Sequence, residues 1–361
     1  MTPRICLNMI VKDEASIIDR CCEAMARIID CYLICDTGSC DDTVERIERT
    51  FASHGIPGEI VHSTFVDFEQ ARNEALEAAR RSSLDFDYIL FCDADMELHQ
   101  TGTDWRSQLA GPAYGIVQRS VAGLEYPNLR LLRRDHPARY VGVTHEYLDV
   151  GTTWPVIDGL LYEDHAVGSS RGHKYERDIR LLTEAAERHP DDARTAFYLA
   201  NSYHDCGRND EAMRWYERRI SMGGYPDEVF MSMYRAGLCH QALGAEAAFF
   251  HQMLLCFDAY PHRAEPLHSL ALHAQATGRH RLALSMAELG ATIAKPTTGL
   301  FVEAEVYEWR LADIIAVSKY WTGRPHDGIA INERLLDIVP STHRARISDN
   351  LEHCRRAANA A

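Results

Sequence analysis

The chain has 361 residues, of which 53 are acidic and 38 basic, for a formal net charge of −15. This acidic balance argues against a broad nucleic-acid interface, which needs clustered Lys and Arg. No apolar run approaches the roughly 18 residues that cross a membrane, and the acids at 13–14 come too early for a signal peptide. We therefore expect a soluble, cytoplasmic protein of two domains, whose eleven scattered cysteines are reduced thiols.

The first part of the chain alternates short β-rich runs with helical patterns. Strands are predicted at 5–11, 32–36, 59–65 and 88–95, and helices at 14–29, 41–55 and 68–82. Such alternation predicts an α/β domain over residues 1–172, with a mixed, mostly parallel, Rossmann-like sheet. Ligands of these sheets bind beyond the carboxyl ends of the strands.

The second part, residues 173–361, shows helical patterns broken by Gly and Pro. Gly207, Gly244 and Gly278 each end one predicted helix and precede another, at intervals of roughly 35 residues. The stretch 196–219 matches a tetratricopeptide unit best, and 321–340 is a candidate fourth unit. We therefore predict an all-α, tetratricopeptide-like domain of stacked helix pairs.

Two Asp-x-Asp pairs flank the fourth predicted strand. Asp93 and Asp95 close it, and residues i and i+2 of an extended segment share a face, so both carboxylates could hold Mn²⁺ or Mg²⁺. Such an ion neutralises a departing nucleotide diphosphate. Asp85 and Asp87 stand at the opposite end, where we expect a solvated loop.

Two further residues accompany the acidic pair. Asp36 closes the second strand, at the edge where its carboxylate could accept a hydrogen bond from a base imide. Arg72, in the third helix, either bonds diphosphate oxygens or forms a surface ion pair with Glu69 or Glu77. The spacing alone leaves both interpretations of Arg72 open.

Several stretches in chain order resemble family 2 glycosyltransferases of the GT-A fold. The match is best to the bacterial subgroup with a tetratricopeptide tail, which includes peptide S-glycosyltransferases of glycocin pathways. The resemblance rests on LNMIVKDE (7–14), ICDTGSCDDT (34–43), ARNEAL (71–76), ILFCDADMEL (89–98), RLLRRDHPARYVGVTHEYL (130–148) and YEDH (162–165). It implies a UDP-sugar donor and inversion at the anomeric carbon.

The resemblance also implies roles for the donor-side residues. Asp36 would contact uracil, Glu14 would line the nucleoside pocket, and Arg72 would contact the diphosphate. Asp93 would lie near the ribose and the metal, and Asp95 would bind the metal directly.

The later segments supply the remaining candidates. His165 would complete the metal or diphosphate site, and Lys174 and Arg177 would clasp phosphate, although both also suit a solvated helix start. An inverting transferase needs a general base. Glu146 is the first candidate, with His145 orienting it or touching the sugar, and Asp164 is the second.

Other functions compete with this interpretation. A sugar nucleotidylyltransferase would carry a Gly-rich, basic loop where this chain reads VKDEAS. An inactive repeat scaffold is the non-enzymatic alternative. We expect a peptide or protein acceptor (Cys, Ser or Thr), because helical repeats offer grooves to extended peptides, with a natural product or polysaccharide as runner-up. Tyr198, Tyr203 and Trp215 either line such a groove or fill repeat cores, and self-association through the repeats stays open.

Overall fold

The computed structural model describes residues 2–102, 104–121, 125–167 and 174–360. Contacts divide the chain into two compact units, Met1–Ala185 and Ala186–Ala361. The boundary predicted between residues 172 and 173 lies outside the described residues and stays a prediction. The next helix, α4 (Lys174–Arg188), falls largely within the first unit.

The first unit is built on an eight-stranded sheet in the order β3-β2-β1-β4-β7-β6-β10-β5, beside a two-stranded sheet of β8 and β9. The strands are β1 (Ile5–Val11), β2 (Cys31–Asp36), β3 (Gly58–His62), β4 (Tyr88–Phe91), β5 (Met96–Gln100), β6 (Ala113–Ser120), β7 (Glu125–Arg133), β8 (Arg139–Val141), β9 (Tyr147–Asp149) and β10 (Val156–Asp164). The helices are α1 (Ile18–Met25), α2 (Thr43–Ser53) and α3 (Phe68–Arg81), with a 3₁₀ turn at Trp105–Gln108.

The sheet is parallel over its first four strands and mixed beyond them. β3, β2, β1 and β4 pair in parallel, whereas β7 runs antiparallel to both β4 and β6. Side chains of β1 alternate between the two faces: Leu7 and Met9 join the apolar cluster that includes α1 and α2, and Cys6 joins the one that includes α3. The predicted α/β class with a mixed sheet covered on both faces is confirmed.

The fourth strand is shorter than predicted. β4 ends at Phe91, and the chain turns at Asp93–Asp95, where the Met96 N–H donates to the Asp93 carbonyl at 3.1 Å. The turn is needed because Met96 begins β5, which pairs antiparallel with β10 at the sheet edge. The expectation that Asp93 and Asp95 share the face of an extended strand was therefore wrong. The predicted helix at 14–29 is likewise shorter, because residues 14–17 form a turn before α1.

The second unit consists of helices, as predicted. They are α5 (Ala193–Asp205), α6 (Asn209–Met222), α7 (Pro226–Ala242), α8 (Glu246–Ala259), α9 (Glu265–Ala276), α10 (His280–Gly290), α11 (Leu311–Trp321), α12 (Pro325–Ile338) and α13 (Ser341–Ala360), with a π-helical turn at Val306–Arg310. Consecutive helices pack pairwise, α5 on α6, α7 on α8, α9 on α10 and α11 on α12. The stretch 321–340, predicted as a fourth unit, contains only the second helix of the last pair, α12, because α11 ends at Trp321.

The recurrent glycines have one structural role. Gly207 has φ +79°, and its N–H bonds the His204 carbonyl while the Arg208 N–H bonds the Tyr203 carbonyl. This is the Schellman motif, which needs a left-handed residue at the helix end. Gly244, Gly278 and Gly323 repeat the same pair of bonds with φ of +73°, +74° and +79°.

The aromatic residues of the first repeat are half-buried. Tyr198 packs against the cluster around Phe197, and Tyr203 and Trp215 pack against the cluster around Tyr216. An arginine lies over each ring, at 4.7–4.9 Å from its centroid. Packing in repeat cores therefore occupies at least part of each ring. All eleven cysteines are free, and nine are buried, as expected for reduced thiols.

Candidate functional site

A cavity of about 530 Å³ lies at the carboxyl ends of β1 and β4. This is where an open α/β sheet places its ligands, and the volume suits a small molecule. Seven of the residues singled out from the sequence line it: Glu14, Arg72, Asp93, Asp95, Asp164, Lys174 and Arg177. The structure thus brings together side chains that are up to about 160 positions apart in the chain.

A larger cavity, about 810 Å³, opens at the other ends of the strands. It contains the second acidic pair, with Asp85 exposed over 85% of its side chain and bonded to Arg4 at 2.7 Å. Asp87 accepts the Arg4 backbone N–H at 2.8 Å. The second pair therefore stands at the end opposite the candidate site, as predicted, and serves the start of β1.

Asp93 is held between two buried arginines. Arg72 donates from Nη2 to Oδ1 of Asp93, and Arg130 donates from Nη1 to Oδ2 at 3.2 Å. Burial opposes ionisation of Asp93, but the two guanidiniums outweigh it and hold the pKa of that carboxyl well below its usual value. Both oxygens of Asp93 are therefore engaged, and the residue fixes the two arginines under the cavity.

Arg72 reaches the site because α3 presents it inward. Its Nε donates to Glu146 at 3.1 Å, and its guanidinium lies 5.8 Å from the Tyr140 ring centroid. Burial disfavours its charge, but Asp93 and Glu146 raise the pKa of Arg72 above its usual value. The surface alternative was wrong, since Arg72 pairs with neither Glu69 nor Glu77.

The next residue of α3 secures the segment that carries Glu146. Asn73 donates to the Tyr140 carbonyl at 2.9 Å and accepts the Tyr140 N–H at 2.8 Å. This pair of bonds ties β8 to α3. His145 precedes Glu146 in a turn with φ +51°. The Glu146 carboxylate is therefore linked to the cavity floor by its ion pair with Arg72.

Arg130 and Gln118 were missed at the sequence level. Arg130 donates from Nη2 to Gln118 Oε1 at 2.9 Å, and Gln118 Nε2 donates to Asp164 Oδ2 at 3.2 Å. The second oxygen of Asp164 accepts the Ala166 N–H at 2.9 Å. A polar chain thus runs from Asp93 to Asp164 under the cavity. The available signal was a polar residue amid the apolar runs of β6 and β7.

The donor set for a divalent cation is small. Asp95 lines the cavity, whereas Asp93 is engaged by arginines, and His165 Nε2 lies 3.0 Å from Glu97. Over the described parts of the chain, no group of three or more His, Cys, Asp or Glu side chains is arranged to hold a metal. The residues fit Mg²⁺ or Mn²⁺ only in the mode in which one or two carboxylates bind the ion and substrate phosphates and water complete its shell.

Asp36 shapes the loop that follows β2. Its carboxylate accepts the N–H groups of Gly38 and Ser39 at 3.2 and 3.1 Å and lies 3.3 Å from His62 Nδ1. Thr37, the next residue, lines the cavity. The structure thus places Asp36 beside the cavity wall, where turn N–H groups already occupy its oxygens.

The loop after β1 carries the other nucleoside candidate. Glu14 is 8% exposed and lines the cavity. The loop is fixed by Asp13, in the left-handed region at φ +54°, whose Oδ1 accepts the Cys40 N–H at 2.7 Å. Asp tolerates that backbone conformation better than most residues do.

Lys174 and Arg177 line the cavity from the first turn of α4. Arg177 lies 4.8 Å from the Phe68 ring centroid and bonds Asp178 Oδ1 at 3.0 Å. These two cations face the same space as Asp95. The site therefore combines a carboxylate with basic groups, which suits a ligand made of phosphate and a bound cation.

Comparisons with known proteins find a matching sequence profile and a similar curated protein. The sequence profile described as Glycosyl transferase family 2 matches residues 6–103, which include β1 to β5 and the acidic pair. A TPR repeat-containing protein of Synechococcus elongatus is 30% identical over 243 residues, covering 61% of this chain. The matched region spans 57% of that relative's own length.

Solved structures with helical repeats are also similar. A MamA protein aligns with 46% of this chain and 83% of its own, at 14% identity and a TM-score of 0.38. The C-terminal part of a TPR repeat-containing protein from Cytophaga hutchinsonii aligns with 52% of this chain and 72% of its own, at 13% identity and a TM-score of 0.41. Along the described residues, no helix combines the length and the apolar content needed to cross a bilayer.

Proposed function

We propose that the chain is an inverting, metal-dependent glycosyltransferase that moves a sugar from a UDP-sugar to a Cys, Ser or Thr side chain of a peptide or protein. The observation that carries the proposal is the 530 Å³ cavity, in which Asp95, Lys174 and Arg177 converge at the carboxyl ends of the strands. The family 2 profile over residues 6–103 supports the same reaction class. The resemblance in chain order adds the donor type.

Donor binding follows from the charges around the cavity. Glu14 lines the part next to the β1 loop, where the resemblance puts the nucleoside, and Asp36 supports the neighbouring turn. Lys174 and Arg177 attract the diphosphate. Asp95 would hold the divalent cation, which neutralises the charge of the leaving nucleotide diphosphate.

Arg72 acts with Asp93 at the floor of the cavity. Its charge is shared between Asp93 and Glu146, so the guanidinium is held in place before a ligand arrives. Pre-organised charges of this kind stabilise a transition state without reorganising during the reaction. We therefore assign Arg72 to orienting the diphosphate and Asp93 to fixing Arg72.

Two observations support Asp164 as the general base. It lines the cavity, and its carboxylate accepts hydrogen bonds from Gln118 and the Ala166 backbone, which orient it. Glu146, the first candidate from the sequence, is paired with Arg72. That ion pair commits the Glu146 carboxylate to holding Arg72 in place.

The base assignment has a direct test. We expect Asp164→Asn to lower the transfer rate to a hydroxyl acceptor by about 10²-fold or more, the usual contribution of general base catalysis. Glu146→Gln should cost less and should mainly raise the KM for the donor through Arg72. The reverse ranking in steady-state kinetics would return the role to Glu146.

The experiment that tests the reaction class is a donor screen. UDP release would be followed with several UDP-sugars, with and without Mn²⁺, and in the presence of peptide or small-molecule acceptors. We expect metal-dependent transfer of label to a peptide. If only the small molecule is labelled, the transferase assignment stands and the peptide acceptor is rejected. If no UDP-sugar is turned over, the reaction class is rejected.

A further inference from the structure

One connection in the repeat unit is much longer than its equivalents. Residues 291–305 join α10 to the π-helical turn, whereas residues 223–225 and 260–264 suffice between the preceding pairs. Part of this connection, Gly299–Glu303, lies against α7 and α9 and is called the strap. A connection this long, in which only residues 304–305 are helical, calls for a physical reason.

The strap is held through its backbone, as a bound peptide would be. The Leu300 N–H donates to Asp227 Oδ2 at 3.1 Å, and the Leu300 carbonyl accepts from Arg263 Nη1 at 3.4 Å. The Glu303 N–H lies 3.4 Å from Glu265 Oε1, which accepts it. Three charged side chains of the α7 and α9 segments therefore bond main-chain groups, which any extended peptide carries.

The strap's side chains add a pattern to these bonds. Leu300 packs against the apolar cluster of α7, and Glu303 accepts from the Tyr234 hydroxyl at 3.0 Å. Phe301 stays 51% exposed, with the Arg235 guanidinium 5.6 Å from its ring centroid. The recognised pattern is Leu-Phe-x-Glu.

The receiving surface is built independently of the strap. Arg263 and Glu265 are 2% and 1% exposed and bond each other at 2.8 Å, and the Tyr307 hydroxyl donates to Glu265 at 2.7 Å. None of these bonds involves the strap, so we expect the surface to stay formed when the strap leaves.

The strap itself is held in an unfavourable conformation. Phe301 has φ +51°, which is rare for a bulky side chain. Strain of this kind persists only while the surrounding contacts enforce it. Release of the strap relieves the strain at Phe301.

We infer that this face, made of Asp227, Tyr234, Arg235, Arg263 and Glu265, binds an extended peptide of the Leu-Phe-x-Glu pattern, and that the strap occupies it until such a partner displaces it. The inference does not depend on the proposed transferase reaction. It assigns the repeat unit a peptide partner of defined sequence pattern and makes the strap an internal competitor for the same surface.

The test uses the strap's own sequence as the probe. In the full chain, residues 299–303 would be replaced by Gly and Ser, and a fluorescent peptide of residues 296–305 would be added in trans. We expect the peptide to bind the replaced chain at least tenfold more tightly than the parent, by fluorescence anisotropy. Asp227→Ala in the replaced chain removes the acceptor of the Leu300 N–H and should weaken binding, and Asp258→Ala, at an exposed acid on α8, should not.

A folded replaced chain that fails to bind the peptide overturns the inference. If the replacement unfolds the chain, hydrogen exchange on the parent decides. Excess unlabelled peptide should speed exchange of the Leu300 and Glu303 amides, because it displaces them from Asp227 and Glu265. Unchanged exchange at saturating peptide contradicts a displaceable strap.

Discussion

Both units bury arginine–carboxylate pairs, but they complete them differently. In the first unit, Asp93 is shared by Arg72 and Arg130 directly beneath the cavity. In the second, Arg219 is 1% exposed and pairs with Glu228 at 3.0 Å. Its remaining donors go to the backbone carbonyls of Gly223 at 2.6 Å and Tyr225 at 3.4 Å.

The difference separates a functional pair from a structural one. The Arg219 guanidinium donates hydrogen bonds to the connection between α6 and α7, so it fixes the stacking of two repeats. The guanidiniums around Asp93 bond only side chains in the contacts described above, and these side chains surround a cavity. Burial of an ion pair alone therefore does not indicate function. The groups that bond the buried charges distinguish a functional pair from a structural one.

The largest expected effect is on stability, at Arg219. Arg219→Met should lower the free energy of unfolding by about 3–5 kcal/mol, because it leaves Glu228 buried without its main partner. We expect the lower end, since Arg194 lies 3.6 Å from Glu228. Urea unfolding measures the loss, and Glu228→Gln in the same chain should recover part of it. A loss under about 1 kcal/mol would contradict a structural role.

The next effect is a pH dependence of the repeat unit. His268 is 6% exposed, and burial together with nearby Arg310 lowers its pKa from 6.5 to about 4. The folded state thus prefers neutral His268. The contribution of this group to the free energy of unfolding is therefore complete above pH 6.5 and is lost as pH falls toward 4. The loss is roughly 3 kcal/mol from this group.

His268→Gln provides the control for that effect. The variant cannot take up the proton, so its stability should change less between pH 6.5 and 4 than that of the parent. Chemical unfolding at several pH values compares the two chains. Parallel curves would show that His268 does not contribute the expected proton uptake.

A smaller effect is expected at Arg130. Arg130→Lys keeps the charge but loses the forked geometry that bonds both Asp93 and Gln118. We expect kcat/KM to fall about tenfold, or about 1.4 kcal/mol, with little change in unfolding free energy. Urea unfolding of the same variant checks the second point. A fall in unfolding free energy large enough to account for the lost activity would make Arg130 merely structural, like Arg219.

The sequence predicts the parts of the fold that local patterns encode. The four parallel strands follow from apolar runs between amphipathic helices, and Gly207 and its equivalents mark helix ends because only a left-handed residue closes a Schellman motif. The position of Asp95 at the carboxyl edge follows from chain order.

The features that the sequence did not predict depend on pairing between strands that are distant in the chain. The turn at Asp93–Asp95 exists because β5 pairs with β10, more than 50 residues later in the chain. The chain from Arg130 through Gln118 to Asp164 depends on the register of β6 with β7 and β10. Neither arrangement leaves a local signature stronger than a polar residue within an apolar strand.

The most direct test is a calorimetric titration of UDP into the chain, with and without Mn²⁺. The parent and Asp85→Ala should bind UDP in a metal-dependent manner, because Asp85 lies at the opposite end of the strand. Asp95→Ala should lose the metal-dependent part, since Asp95 lines the cavity and would hold the ion. Equal metal-dependent binding by Asp95→Ala and the parent, or loss of binding in Asp85→Ala alone, would contradict the site.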